Sequence, residues 1–413
     1  MIYLPVCFFS LFLAYQYKKS GISVGFYIIA LYVMISIFSV AMDKMGLIEP
    51  FKRNISVITG IIYCGLLFLI IVPFCGSKIN RIERIVVSNP KVTDGLTFFF
   101  FGYFLFTLIA YWDDLLWILS YGDFGELRKM IMEGDSLVST KFSGVINILV
   151  TTLNVFGSIS FIMFPIFFIN ICFLKRSWWH NIMSFLGTTT VIITGILGCD
   201  RSSTFRWILL LFANLVFFWK YLDNWSKTKI LPIIITVVFG AGVYIFSVTT
   251  DRFSDTSSGT EGGVVSYGGQ SYINFCYLFD HFDNKEGFST YYFFPAVHKW
   301  ILKDYQGNVP RQQELTEKTG IECGAFYTVL GSFILDGNSL GPFVFVGLFL
   351  LLCSLCVKKI RGPSISFNTF ILLYSLMVIP IFGIIAYPYV TGYHTLSLGI
   401  LFGLLHIYNR PII

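Results

Sequence analysis

Residues 55–75 read ISVITGIIYCGLLFLIIVPFC, a stretch without a single charge. A helix of this length rises about 30 Å, the thickness of the hydrocarbon core of a bilayer. Its apolar residues do not alternate with polar ones, which excludes a strand of a transmembrane β-barrel. Runs of the same kind recur along the whole chain. Of 413 residues, 55% are hydrophobic, 18% aromatic and 13% charged, and the mean hydropathy is +0.74. A soluble domain carries about 25% charged residues, so an ordinary water-soluble enzyme is excluded. The fold class read from this pattern is an all-α polytopic membrane protein.

About eleven spans fit, over residues 2–17, 22–42, 55–75, 95–112, 144–173, 178–197, 203–221, 230–249, 339–357, 366–386 and 394–409. The net charge of +6 marks sidedness rather than nucleic-acid binding, because short cytoplasmic loops collect Lys and Arg. Lys18, Lys19, Lys78, Arg81, Arg84, Lys91, Lys175, Arg176, Lys220, Lys227, Lys229, Lys358, Lys359, Arg361 and Arg410 fall on one side of this scheme. The loop 113–143 and the segment 250–338 fall on the other and hold most of the acids. The N-terminus is then outside and the C-terminus cytoplasmic. Lys44, Lys52 and Arg53 breach the rule. The chain divides into a membrane bundle over 1–249 with about eight spans, an extracytoplasmic loop region over 250–338 and a second bundle over 339–413 with about three.

Inside the loop region, 251–271 (DRFSDTSSGTEGGVVSYGGQS) is rich in Gly and Ser and reads as a loop. Residues 321–338 are too interrupted by Gly to cross the bilayer and read as a re-entrant or surface helix packed on protein. Nine cysteines mostly sit within apolar runs as packing residues. A Cys276–Cys323 bridge is left open by the sequence.

Chemistry concentrates on the outer side. In GCDRSSTFRW, residues 198–207, Ser202 or Ser203 can cap a new helix whose N-terminus would form an anion site beside Arg201, with Arg206 one turn on. In LDGNSLGP, residues 335–342, Asp336–Gly337 is a turn signal before a span. His298, in FFPAVHKW, is a candidate base, and His281 reads as a surface residue. No DxD pair, HExxH, GxSxG or Walker A motif occurs. No zinc spacing occurs either.

The loop with SYGGQSYINFCYLFDHF, followed by GIECGAFYTVLGSFILDGNSLGP, resembles the O-antigen and capsule repeat-unit polymerases. Their pattern Thr-x-x-Gly…Asp-(Phe)-Gly…Gly is matched here by Thr328, Gly331, Asp336, Gly337 and Gly341, without the aromatic between Asp and Gly. Arg201 and Ser202 also resemble the pair that opens an earlier span in that family. The likeness covers residues 190–345. It implies a polytopic protein of the bacterial cytoplasmic membrane with an extracytoplasmic active face. It implies transfer of a growing glycan from undecaprenyl pyrophosphate to the non-reducing end of a lipid-linked repeat unit. Its partners would be that lipid-linked oligosaccharide, membrane lipids and a chain-length regulator protein.

Pyrophosphate is a good leaving group, so this reaction needs cations at the leaving group and one base for the acceptor hydroxyl, with no metal and no cofactor. Base candidates are Asp336, His298, Glu322 and Asp280. Pyrophosphate candidates are Arg201, Arg206, Arg252 and Arg311. The alternatives are an O-antigen ligase-like glycosyltransferase, a membrane acyltransferase, and a flippase or transporter of lipid-linked oligosaccharide. Transporters show internal repeats and mid-span charges, whereas the charges here stand at span ends and in loops.

Overall fold

A computed structural model of the chain describes residues 1–132, 153, 155–253, 259–285, 287–324, 326–389 and 392–409. In chain order the principal helices begin with α1 (Tyr3–Ser20), α2 (Val24–Lys44), α3 (Val57–Ile71), α4 (Pro90–Ala110), α5 (Trp112–Tyr121) and α6 (Phe124–Met132). There follow α7 (Met163–Cys172), α8 (Trp178–Leu197), α9 (Arg201–Phe218), α10 (Asn224–Phe253) and α11 (Gly259–His281). The last are α12 (Asn308–Thr319), α13 (Thr328–Gly337), α14 (Gly341–Lys358), α15 (Phe367–Phe382) and α16 (Gly392–Tyr408). Among the described residues, strands amount to Arg84–Val86 and Ser364–Ser366.

Among the described residues, seven helical stretches are long and apolar enough to cross a membrane, and Ser160–Cys172, Phe367–Phe382 and Tyr393–Tyr408 are shorter apolar helices. The chain is an all-α, multi-pass membrane protein. Helix α1 is not among the seven, and its last turn carries Lys18 and Lys19. Of the expected span 144–173, residues 144–152 and 154 lie outside the described ones. From Ser160 to Cys172 the chain is helical and buried.

The chain forms two compact units, one of residues Met1–Arg84 with Glu261–Gly399, the other of Ile85–Thr260 with Ile400–Ile413. In the first, α1 packs on α2 and α3, and α14 packs on α3, α13 and α15. All ten residues of α13 are buried. Its first N–H groups, orphans in any helix, are satisfied by protein: Thr328 donates to the Ile385 carbonyl at 3.1 Å and Val329 to that of Gly383 at 2.9 Å. That is how a helix too short to span can sit among spans.

One sequence expectation fails here. The Gly/Ser-rich stretch is not a loop throughout: residues up to Phe253 continue α10 and those from Gly259 onward form α11, while 254–258 lie outside the described residues. The glycines of α11 serve close approach rather than turning. A Cβ on Gly269 would meet the backbone of Phe38 and Ser39 in α2, and the Ser39 hydroxyl donates to the Gly269 carbonyl at 2.6 Å. Small residues let membrane helices approach in this way. On the bridge that the sequence left open, Cys276 and Cys323 are both free thiols.

In the second unit α8 packs on α4, α7 and α9, and α10 packs on α9 and α6. Buried polar side chains tie the helices. Asn170 donates to Ser184 at 2.9 Å, Ser184 bonds Thr97 at 3.0 Å, and the Trp207 indole donates to Thr188 at 3.1 Å. Each bond of this kind contributes about 1 kcal/mol inside a membrane bundle.

Candidate functional site

In the first unit a loop joins α11 to α12, and a buried carboxylate holds it. Asp336 lies in the last turn of α13 and is 1% exposed. Its Oδ2 accepts the backbone N–H of Tyr292 at 2.7 Å and of Phe293 at 2.9 Å, and its backbone carbonyl accepts that of Ser289. The loop 289–293 is therefore bent around Asp336. This differs from the sequence reading of Asp336 as a surface turn residue: a carboxylate enclosed by backbone donors acts as an anchor.

Beyond the anchored loop the chain makes a short helix and a widened turn that brings His298 back over Thr290. His298 is 7% exposed. Its Nδ1 lies 2.9 Å from Asp304 Oδ1 and its Nε2 3.0 Å from the Thr290 hydroxyl. A carboxylate can only accept, so Nδ1 carries a proton toward Asp304, and in the neutral ring Nε2 then accepts the Thr290 O–H. The turn closes through Lys303 at φ +59°, with the Asp304 N–H on the His298 carbonyl. Carboxylate, imidazole and hydroxyl thus form one relay, the arrangement that makes an imidazole a base toward a hydroxyl.

Tyr291 stands beside the relay. Its ring is 5.3 Å from that of His298 and stacks on Tyr305 at 5.1 Å. Its hydroxyl donates to the Gly307 carbonyl at 2.9 Å. Burial raises the Tyr291 phenol and pushes that of Tyr305 up to about 12, so both are neutral donors at physiological pH. The Arg311 guanidinium lies 5.6 Å from the Tyr291 ring centre and pairs with Glu314 at 2.8 Å. Glu314 is held below the ordinary carboxylate range by its hydrogen bonds to Lys318 and Arg311. Arg311 Nε and the Tyr292 hydroxyl are buried without a hydrogen-bond partner, two donors with nothing of the protein to receive them.

The other base candidates do not join this cluster. Asp280 accepts the Thr59 hydroxyl. Glu322 is 66% exposed and lies 3.7 Å from Lys52, which also pairs with Glu49 at 2.6 Å. Those two carboxylates answer the cation that breached the charge rule.

The motif residues around Asp336 prove to be packing residues. A Cβ on Gly331 would enter the Tyr327 ring, one on Gly337 the Phe288 ring, and one on Gly341 the Phe333 carbonyl. Thr328 opens α13 at φ +62°, a region β-branched residues rarely enter, and its hydroxyl is buried without a partner.

In the second unit the expected cap is corrected. Asp200, not Ser202 or Ser203, caps α9: it accepts the Ser202 N–H at 2.9 Å and the Ser202 and Ser203 hydroxyls, each at 2.8 Å. Burial works to raise this carboxyl, but those hydrogen bonds and the nearby Arg206 charge bring it below its ordinary value. The helix end expected to be open to an anion already holds one. Arg201 is 8% exposed, donates to Thr249 at 2.7 Å and lies 4.8 Å from the Phe253 ring centre. Arg252 belongs to α10, but its side chain lies outside the described residues.

Thr290, Asp304, Tyr291 and Tyr292 were not found by reading the sequence. The only local signal was Asp304 six residues after His298, a spacing that neither helix nor strand brings together. No family model matches the chain, and neither a curated protein nor a solved structure does.

Proposed function

We propose that the chain is a glycosyltransferase of the bacterial cytoplasmic membrane. It would transfer a growing glycan from undecaprenyl pyrophosphate to a lipid-linked repeat unit on the outer face. We place about eleven crossings in the chain, the N-terminus outside and the C-terminus in the cytoplasm, with a chain-length regulator as a further partner. The observation that carries the reading is the Asp304–His298–Thr290 relay beside Arg311. In this reaction His298 Nε2 takes the proton of the acceptor hydroxyl. That oxygen attacks the anomeric carbon of the growing chain, and the bond from that carbon to the pyrophosphate oxygen breaks. The Thr290 hydroxyl marks the place the acceptor oxygen takes. Charge gathers on the departing pyrophosphate, where Arg311 Nε and the Tyr292 hydroxyl supply donors that need no reorganisation.

Asp336 is a positioning residue in this scheme, because its Oδ2 holds the backbone N–H groups of Tyr292 and Phe293 in the loop. Asp200 takes from Arg201 and Arg206 the open helix end that their role required, and we give the leaving group to Arg311. Deletion of the coding sequence tests the reading: glycans should be capped at a single repeat unit. Loss of the one-unit band as well would point to a flippase or a ligase instead.

A further inference from the structure

The geometry points to a subsite for one uncharged sugar ring, formed where the connection between α2 and α3 meets α11 and the chain after α12. It rests on the reading of a glycan substrate and shares no residue with the His298 relay. The cavity measures about 160 Å³ and is lined by Phe51, Lys52, Asn274, Tyr277 and Glu322 among others. That volume holds on the order of ten waters, the scale of a single ring rather than a lipid or a peptide.

Its walls carry the two kinds of group a sugar needs. Phe51 and Tyr277 meet edge to face with ring centres 5.4 Å apart, and Tyr277 is backed by the His281 ring at 4.5 Å. A fixed aromatic corner of this kind receives the C–H face of a ring. Asn274 is locked by its hydrogen bond to the Phe326 carbonyl at 3.0 Å. Among the described residues Glu322 has the long contact to Lys52 and no hydrogen bond, and it is largely exposed, so its oxygens are open to two hydroxyls of a ligand.

Charge selects against an anion. Lys52 already faces Glu49 and Glu322, which leaves these three side chains with a surplus of negative charge. A phosphate or a uronic acid would meet that surplus, whereas hydroxyls would donate to it. The ligand class is therefore a neutral hexose, deoxyhexose or N-acetylhexosamine unit.

The test is saturation-transfer NMR on the purified full chain in detergent. The probes are free glucose, rhamnose and N-acetylglucosamine, with inorganic phosphate and glucuronate as anionic probes. At least one neutral sugar should receive saturation from aromatic protons. Tyr277→Ala should weaken its binding about tenfold, and Glu322→Gln should weaken it as well. Phe51→Ala, at an exposed ring, gives the same readout if Tyr277→Ala fails to fold. Trp179→Ala, at an exposed ring that lines neither the cavity nor the relay, should leave the signal unchanged. Absence of a neutral-sugar signal in the wild type, equal signals in the folded variants, or preference for phosphate or glucuronate would each overturn the subsite. A sugar signal intact in a protein that does not polymerise lipid-linked substrate would remove the proposed function and leave the subsite standing.

Discussion

Replacing His298 by Gln tests the base directly. Gln fits the space of the ring and can hold a hydrogen bond to Asp304 or Thr290, but it cannot take a proton. A positioned general base contributes about 10²- to 10⁴-fold to rate, or about 3–5 kcal/mol of barrier. Asp304 contributes less. A hydrogen bond to a charged group contributes about 1.5–3 kcal/mol, but the Asp304 side chain is 57% exposed, and solvent screening brings this to about 1 kcal/mol. Asp304→Asn should therefore lose about fivefold, since its amide oxygen can still accept from Nδ1. Thr290→Val should stay near the wild-type rate, because an acceptor hydroxyl displaces Thr290 rather than using it. The assay is single-turnover elongation of lipid-linked oligosaccharide by purified protein, with membrane insertion and thermal unfolding checked for each variant. A folded His298→Gln protein at the wild-type rate would refute the reasoning. So would a folded Thr290→Val protein as inactive as His298→Gln, which would make Thr290 a covalent nucleophile and the reaction two-step.

Asp336→Ala should lower thermal stability and activity together, because it leaves the buried N–H groups of Tyr292 and Phe293 unpaired at about 1–3 kcal/mol each; Asp336→Asn, which keeps an acceptor, should lose less of both. Gly341→Ala should destabilise by about 1–3 kcal/mol, read as a lower midpoint of thermal unfolding in detergent, since its methyl group has no room beside the Phe333 carbonyl. Asp200→Ala should remove about 1 kcal/mol of cap stabilisation at neutral pH. In the wild type that contribution is complete above the unfolded carboxylate value and lost as pH falls through the lower folded one, so the gap between the two proteins should close in acid. Polymerisation by protein stripped with EDTA should persist, because Arg311 and hydroxyl donors serve the leaving group; loss of turnover restored by magnesium would contradict this.

The membrane character of the chain was legible because it depends on composition alone: a run such as 55–75 has one favourable environment. Helix positions followed for the same reason, as with the expected 178–197 and the observed Trp178–Leu197. What misled was glycine. In water Gly268 and Gly269 would mark a turn, whereas against α2 they are the residues that let two backbones touch. The cap of α9 was misread for a related reason: Asp, Ser and Thr all cap helices, and three candidates stand side by side at Asp200, Ser202 and Ser203. Only coordinates show that the carboxylate takes the position and the hydroxyls turn back to it. His298 was legible as a candidate, but its partners were not, because a turn through Lys303 at positive φ carries no sequence signature.

Under the proposed function, the residues that carry the family resemblance and the residues that carry the chemistry are different ones. Thr328, Gly331, Asp336, Gly337 and Gly341 lie on α13 or at its corner with α14, where they set close packing and anchor a loop. The relay lies on the loop they hold, at Thr290, His298 and Asp304. Physical reasons favour this division. A buried anchor tolerates few substitutions, since a lost carboxylate strands two backbone donors and an added methyl group meets a carbonyl. An exposed partner such as Asp304 is replaceable by any group that can accept from Nδ1. Under the proposed function the acidic residue of the pattern, Asp336, supports the loop that carries the base, because its carboxylate binds the backbone N–H groups of Tyr292 and Phe293.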